Sequence, residues 1–152
     1  MDSSNAVVRP PLAWALAVVI GLGLDWLYPL PFVPASLPAR WVGIIVFAAA
    51  FALGISAIIT IRRAGTAVET VKPTTTIVSN GPFRFTRNPI YLGMFVGQIG
   101  LAIAFNSLWV LVTLIPFYFL IRYGVVAREE AYLEGKFGRP YLDYKDRVRR
   151  WL

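Results

Sequence analysis

Four apolar blocks, each bounded by prolines or charges, dominate this chain. They run from about Leu12 to Tyr28, from Trp41 to about Ile61, from Pro89 to Phe105 and from Leu108 to about Ala127. A helix needs roughly 20 residues to cross the hydrocarbon core, with a lower limit near 17, so the first and third blocks are short spans. Charged residues make up 15% of the chain, where a soluble domain carries about 25%. The pattern predicts an all-α integral membrane bundle of four transmembrane helices, folded as one domain over residues 1–152.

The blocks also carry local detail. Arg9 and Ala15-Leu16-Ala17 give the first block a passing likeness to a signal peptide. The apolar run continues to Trp26 and Tyr28, as a retained helix with interfacial anchors does. Asp25 falls at that outer end, at the wetted interface. A very short turn at Asn106-Ser107 makes the third and fourth helices antiparallel neighbours. Gly93, Gly97 and Gly100 give the third helix a face that lets another helix come close, within the chain or between chains. Gln98 is an intramembrane amide suited to an interhelical hydrogen bond. Pro116 should kink the fourth helix.

Charge sets the orientation. The link before the third block carries Arg62, Arg63, Lys72, Arg84 and Arg87 against Glu69, and the tail carries Arg128, Lys136, Arg139, Lys145, Arg147, Arg149 and Arg150. The proline-rich link from Pro29 to Arg40 has one basic residue. By the positive-inside rule both termini are cytoplasmic, as in a multi-pass protein of a bacterial inner membrane or its equivalent. The net charge of +7 gathers at helix ends, the placement for anionic lipid headgroups rather than for nucleic acid. Beyond the fourth block, Arg128 to about Lys136 should stay helical. Gly138 ends that helix and Pro140 opens another. There Tyr141, Tyr144, Val148 and Trp151 recur at helical spacing between basic flanks, as in a cytoplasmic amphipathic helix lying on the surface.

The chain has no cysteine and no histidine. Disulfides, thiol nucleophiles and thiolate metal sites are excluded, and the commonest general base and metal ligand are missing. No spacing resembles a metal site or a phosphate loop. The chemistry must come from two polar clusters, Ser79 to Gly93 before the third helix and Arg128-Glu129-Glu130 after the fourth. A helical hairpin brings both to one bilayer surface. Glu129 and Glu130 point about 100° apart on a helix. Either they are two solvated acids, or one holds a ligand while the other pairs with an arginine such as Arg84, Arg87 or Arg128.

Three elements occur in order: Gly81-Pro82-Phe83 with Arg87-Asn88-Pro89, Tyr91 and Gly93; then Glu129-Glu130 with Leu133; then Phe137-Gly138 with Tyr141, Tyr144 and Val148. Together they resemble the integral-membrane methyltransferases, the group of isoprenylcysteine carboxyl methyltransferase and the phospholipid N-methyltransferases. The resemblance covers about Thr74 to Leu152, so residues 1–73 form a divergent helix pair and residues 74–152 a cofactor-binding hairpin with its C-terminal helices. It implies an S-adenosylmethionine pocket walled by Thr75, Thr76, Ile77, Val78, Phe83, Asn88, Pro89, Ile90 and Tyr91 and closed by Glu129. It also implies a lipid-like or amphipathic acceptor entering from the bilayer, with Arg87 as the catalytic candidate that orients it. Histidine is usual where this chain has Asn88, which hydrogen-bonds but does not titrate near neutral pH. That position should therefore bind and orient. Without histidine, an acceptor that is already ionised, such as a carboxylate, is easier to serve than an amine that must lose a proton, since tyrosines such as Tyr91 and Tyr144 ordinarily titrate near 10. Two other readings remain: a nicotinamide-dependent reductase, since membrane sterol reductases resemble this group in their C-terminal half, and a lipid-binding protein that keeps the fold without chemistry.

Overall fold

The computed structural model describes residues 6–68 and 72–152, and among these there is no strand. Glu69, the one acid of the basic link, lies outside the described residues. Helix α1 spans Pro10–Leu27 and α3 spans Pro89–Ala104. Both open on a proline, whose fixed φ suits a first turn and whose missing N–H is one the helix would leave unpaired. Helix α2, Ala39–Arg63, closes on Arg62 and Arg63, cations at its carbonyl end. Ser107 caps α4 (Leu108–Val112) by accepting the Val110 N–H. Then come α5 (Leu114–Ile121), a wide π turn at Arg122–Val126, α6 (Ala127–Phe137) and α7 (Arg139–Arg147).

Three helices among the described residues are long and apolar enough to cross a membrane: α1, α2 and the run Leu108–Phe137. Helix α3 is apolar but only 16 residues long, about 24 Å at the rise of an α-helix. Trp26, Trp41, Ile45 and Phe51 face outward, the arrangement of a bundle whose solvent is lipid. Without a hydrophobic driving force between helices in lipid, close packing must hold them together. Helix α3 accordingly lies chiefly along α2, through small residues. A Cβ on Gly100 would come within 2.7 Å of the Phe47 nitrogen, and one on Gly43 within 2.3 Å of the Ala104 nitrogen. The glycine face is thus a packing face within the chain. Gln98, fully buried, donates to the Val110 carbonyl at 3.0 Å and the Thr113 hydroxyl at 3.2 Å, the interhelical bond its position suggests.

The fourth apolar block departs from its expected form in two ways. The helical ladder breaks at Thr113, one turn before Pro116. Proline has no N–H for the Val112 carbonyl, so the interruption appears upstream of the ring. The π turn at Arg122–Val126 has no such signature in sequence. There the Gly124 carbonyl accepts the Val7 N–H at 3.1 Å, tying the segment ahead of α1 to the hairpin.

The two ends of the bundle are closed differently. At one end Asn106, in left-handed backbone at φ 49°, receives the Phe32 and Val33 N–H groups and donates to the Val33 carbonyl. Asp25 lies at this end, accepting the Leu30 N–H. The other end gathers the foot of α2, the 3₁₀ turn Gly81–Arg84, the start of α3, and α6 and α7. Gly138, at φ 59°, makes the corner between α6 and α7 in a conformation few other residues adopt.

Helix α7 is shorter and deeper than its sequence suggests. It stops at Arg147, and Val148 is extended, so Val148 and Trp151 do not continue its helical face. Tyr141 and Tyr144 are buried, with the Tyr144 hydroxyl donating to the Phe83 carbonyl at 2.8 Å. Trp151 meanwhile packs edge-on against Phe95, 5.2 Å between ring centroids. The tail is docked into the bundle because its free carbonyls have a donor to meet: Arg87 Nη1 caps those of Lys145 and Val148.

Candidate functional site

A half-open cavity lies at the α6–α7 end, with about 950 Å³ of empty space including its mouth. One wall comes from the foot of α2 and the strand-like approach after it, through Ile61, Thr66, Thr74, Thr76, Ile77 and Val78. A second comes from Phe83 and the run Arg87 to Tyr91. The third comes from Glu129, Glu130, Tyr132 and Leu133 of α6, with Tyr141 and Tyr144 of α7.

The cavity therefore gathers Thr76, Ile77, Val78, Phe83, Asn88, Pro89, Ile90, Tyr91, Glu129 and Arg87, all singled out from sequence. Thr75 falls outside it. Thr75 faces away and secures the approach instead, its N–H on the Thr66 hydroxyl at 2.8 Å and its own hydroxyl on the Gly65 carbonyl. Thr74 and Thr76, on either side of it, line the cavity.

The two adjacent glutamates have different fates. Glu129 turns into the cavity, and the Tyr91 hydroxyl donates to its Oε1 at 2.8 Å. Glu130 borders the cavity but is almost fully buried, its carboxylate held between two arginines. Arg87 Nη2 meets its Oε1 at 2.9 Å, while Arg150 holds both oxygens, Nε to Oε1 at 2.8 Å and Nη2 to Oε2 at 2.7 Å. Of the arginines considered as partners for a glutamate, Arg87 is the one paired with Glu130. Arg150, read from sequence as a basic flank, is the second. Its guanidinium pKa is raised, chiefly by the hydrogen bond to Glu130.

This geometry bears on Arg87. Its two Nη groups are committed to Glu130 and to the two carbonyls of the α7 end, and its side chain is 8% exposed. It borders the cavity but faces the protein. Asn88 behaves similarly: its amide donates to the Arg150 carbonyl at 3.0 Å, so its side chain ties the cavity wall to the tail.

Sequence reading missed five of the lining residues. Tyr132 and Leu133 belong to the Glu129–Leu133 element, and their place one turn beyond Glu129 was a usable signal. Tyr141 and Tyr144 have the spacing of a surface-lying amphipathic helix, yet both are buried, and burial raises the pKa of both hydroxyls, Tyr144 to about 12. Tyr144 thus stays protonated at neutral pH and serves as a donor. Thr66 carries no sequence signal.

The donor set suits a particular ligand chemistry. One carboxylate is turned inward, several aromatic faces surround it, and threonine hydroxyls line the opposite wall. Aromatic faces and a carboxylate attract a cation, and the hydroxyls suit a polyol. No glycine-rich backbone cradle for phosphate is present among the described residues, and neither is a cluster of metal ligands.

The fold defines a helical membrane protein with a polar and aromatic cavity at one end of its bundle. The family model for phospholipid methyltransferases matches residues 38–140, more than half of the chain, and takes in both α6 and the approach to α3. The chain belongs to the phospholipid methyltransferase family. A 38-residue stretch is also 55% identical to an uncharacterized protein of Haemophilus influenzae, covering 25% of this chain and 60% of that protein's length.

Proposed function

We propose that the protein transfers a methyl group from S-adenosylmethionine to an amphipathic or lipid-like acceptor that reaches the cavity from the bilayer. The observation that carries this reading is Glu129, held by Tyr91 inside an aromatic-lined cavity built mostly from segments that the family model matches. The donor set fits the cofactor, which supplies a methyl group on a positively charged sulfur. Phe83 and Tyr91 offer apolar faces for an adenine or a sulfonium. Glu129 is suited to an ammonium or to ribose hydroxyls. A carboxylate directly against the sulfonium would stabilise the ground state and slow transfer, so Glu129 is assigned to binding, away from the methyl group.

Methyl transfer asks little of acid–base residues. It asks for exclusion of water and for reactants held in line. A cavity walled by Ile61, Val78, Ile90 and Leu133 supplies the first, and its three interlocked walls supply the second. Arg87 acts as a positioning residue in this reading, since both its Nη groups are spent on Glu130 and the α7 carbonyls. Asn88 holds the wall without exchanging protons.

The test is calorimetric titration of the detergent-purified protein with S-adenosylmethionine, with S-adenosylhomocysteine and with NADPH. Micromolar binding of the first two, and none of the third, is expected. Binding of NADPH alone would move the protein to the reductases, and binding of none of them would leave a protein without this chemistry.

A further inference from the structure

Arg150 touches both sides of the cavity while lining neither. Its carbonyl accepts the Thr86 hydroxyl at 3.1 Å and the Asn88 amide at 3.0 Å, on the wall that leads into α3. Its guanidinium forks onto both oxygens of Glu130, on the α6 wall. The neighbouring Arg149 carbonyl accepts the Arg87 N–H at 3.0 Å, and Trp151 is seated against Phe95 and Tyr118. The residues after α7 thus run as a strap between the two walls, anchored beyond them by an aromatic ring.

The geometry of the fork gives the strap a consequence for the site. A bidentate guanidinium–carboxylate pair fixes orientation as well as distance. Glu130 is adjacent to Glu129, and the two point about 100° apart on α6. The rotation of α6 that seats Glu130 in the fork is also the rotation that aims Glu129 at the Tyr91 hydroxyl. The same residue, through its carbonyl, holds Asn88 and therefore the first turn of α3, from which Tyr91 projects. Both partners of the Tyr91–Glu129 bond are set from one point.

We propose that Arg150 is a positioning residue for the cavity: it sets the spacing and facing of Glu129 and Tyr91 by clamping both walls from behind. As a statement about ligand affinity this rests on the cofactor reading above; as a statement about the walls it stands on the contacts alone.

The experiment compares Arg150→Lys and Arg150→Gln with the unchanged chain in detergent. Three quantities are read: the Kd for S-adenosylhomocysteine, the thermal midpoint, and hydrogen exchange at residues 127–131 and 86–91. Lysine keeps the charge but presents a point donor instead of a fork. Arg150→Lys should therefore keep a near-normal midpoint while weakening binding about tenfold, on the scale of one lost charge-assisted hydrogen bond. Both variants keep the Arg150 carbonyl, but losing the fork unseats the strap that carries it, so exchange should rise at both walls in both variants, with the α2–α3 contact unaffected. Undiminished affinity in either folded variant, full rescue of affinity by lysine, or faster exchange at one wall only would overturn the proposal. Global unfolding of both variants would also overturn it, making Arg150 a stability element. Should the unchanged chain fail to bind S-adenosylhomocysteine, the cofactor reading falls. The exchange result then decides the clamp: faster at both walls upholds it, and at one or neither refutes it.

Discussion

The division of labour between two adjacent carboxylates is the sharpest residue-level feature of this protein. Glu130 is surrounded by guanidinium donors and gives its charge to structure. Glu129 has a neutral phenol as its hydrogen-bond partner among the described residues, which leaves it the carboxylate best placed to meet a cationic or hydroxylated ligand. The two substitutions therefore should not look alike. Glu129→Gln is expected to weaken S-adenosylmethionine binding by about 1–3 kcal/mol, the scale of a lost hydrogen bond to a charged group, with the thermal midpoint little changed. Tyr91→Phe should weaken it less, because the carboxylate stays and only its orientation loosens. Titration calorimetry on both variants checks the order. Equal affinity in Glu129→Gln and the unchanged chain would remove Glu129 from the binding site. Sequence alone left open which glutamate faces inward, since neighbours on a helix differ by a fixed angle but the helix's rotation is set by tertiary contacts. Here the deciding contact comes from Arg150, twenty residues away and hidden in what reads as a run of surface charge.

At the scale of elements, the segments legible from sequence were those governed by local chemistry. Prolines open α1 and α3, Gly138 turns α6 into α7, and long apolar runs make α2 and the α4–α6 hairpin arm. What was not legible depends on partners. Val148 and Trp151 have the spacing of a helix, yet the backbone leaves helical geometry after Arg147 because Arg87, Thr86 and Asn88 offer donors to carbonyls beyond it. The glycine face of α3 was legible as a face but not as three different sites. A Cβ at Gly97 would lie 3.7 Å from its nearest neighbours, ordinary contact, whereas one at Gly100 would overlap the α2 backbone. Gly→Ala adds up to about 1 kcal/mol of helix propensity. Gly97→Ala should keep that gain and be neutral or slightly stabilising. Gly100→Ala should lose it to overlap and be destabilised by about 1–3 kcal/mol, as overpacked sites are. Thermal midpoints in one detergent settle the order, and equal behaviour of the two variants would mean that α2 and α3 do not approach as closely as this.

For the whole molecule, the contacts at each end constrain how the chain threads a membrane. Phe32 and Val33 share an end with Asn106, while Thr86 and Asn88 share the other with Arg150. A chain whose α1, α2 and Leu108–Phe137 run cross the bilayer can satisfy both sets only if α3 returns across it as well. We therefore expect four crossings, with α3 matched by local thinning or by its flanking residues, as short spans are. From the excess of Lys and Arg at the cavity end we expect that end to face the cytoplasm. Because the chain has no cysteine, single thiols report position without background. Ser36, Ser79 and Asp143 are all exposed. In intact cells or sealed inside-in vesicles, Ser36→Cys should react with a membrane-impermeant maleimide, and Ser79→Cys and Asp143→Cys should react only after permeabilisation. Ser79 and Asp143 labelling from opposite faces would mean that α3 does not cross. That outcome would also separate the two cavity walls by a bilayer and dismantle the site, so the topology experiment tests the cavity as directly as it tests the number of spans.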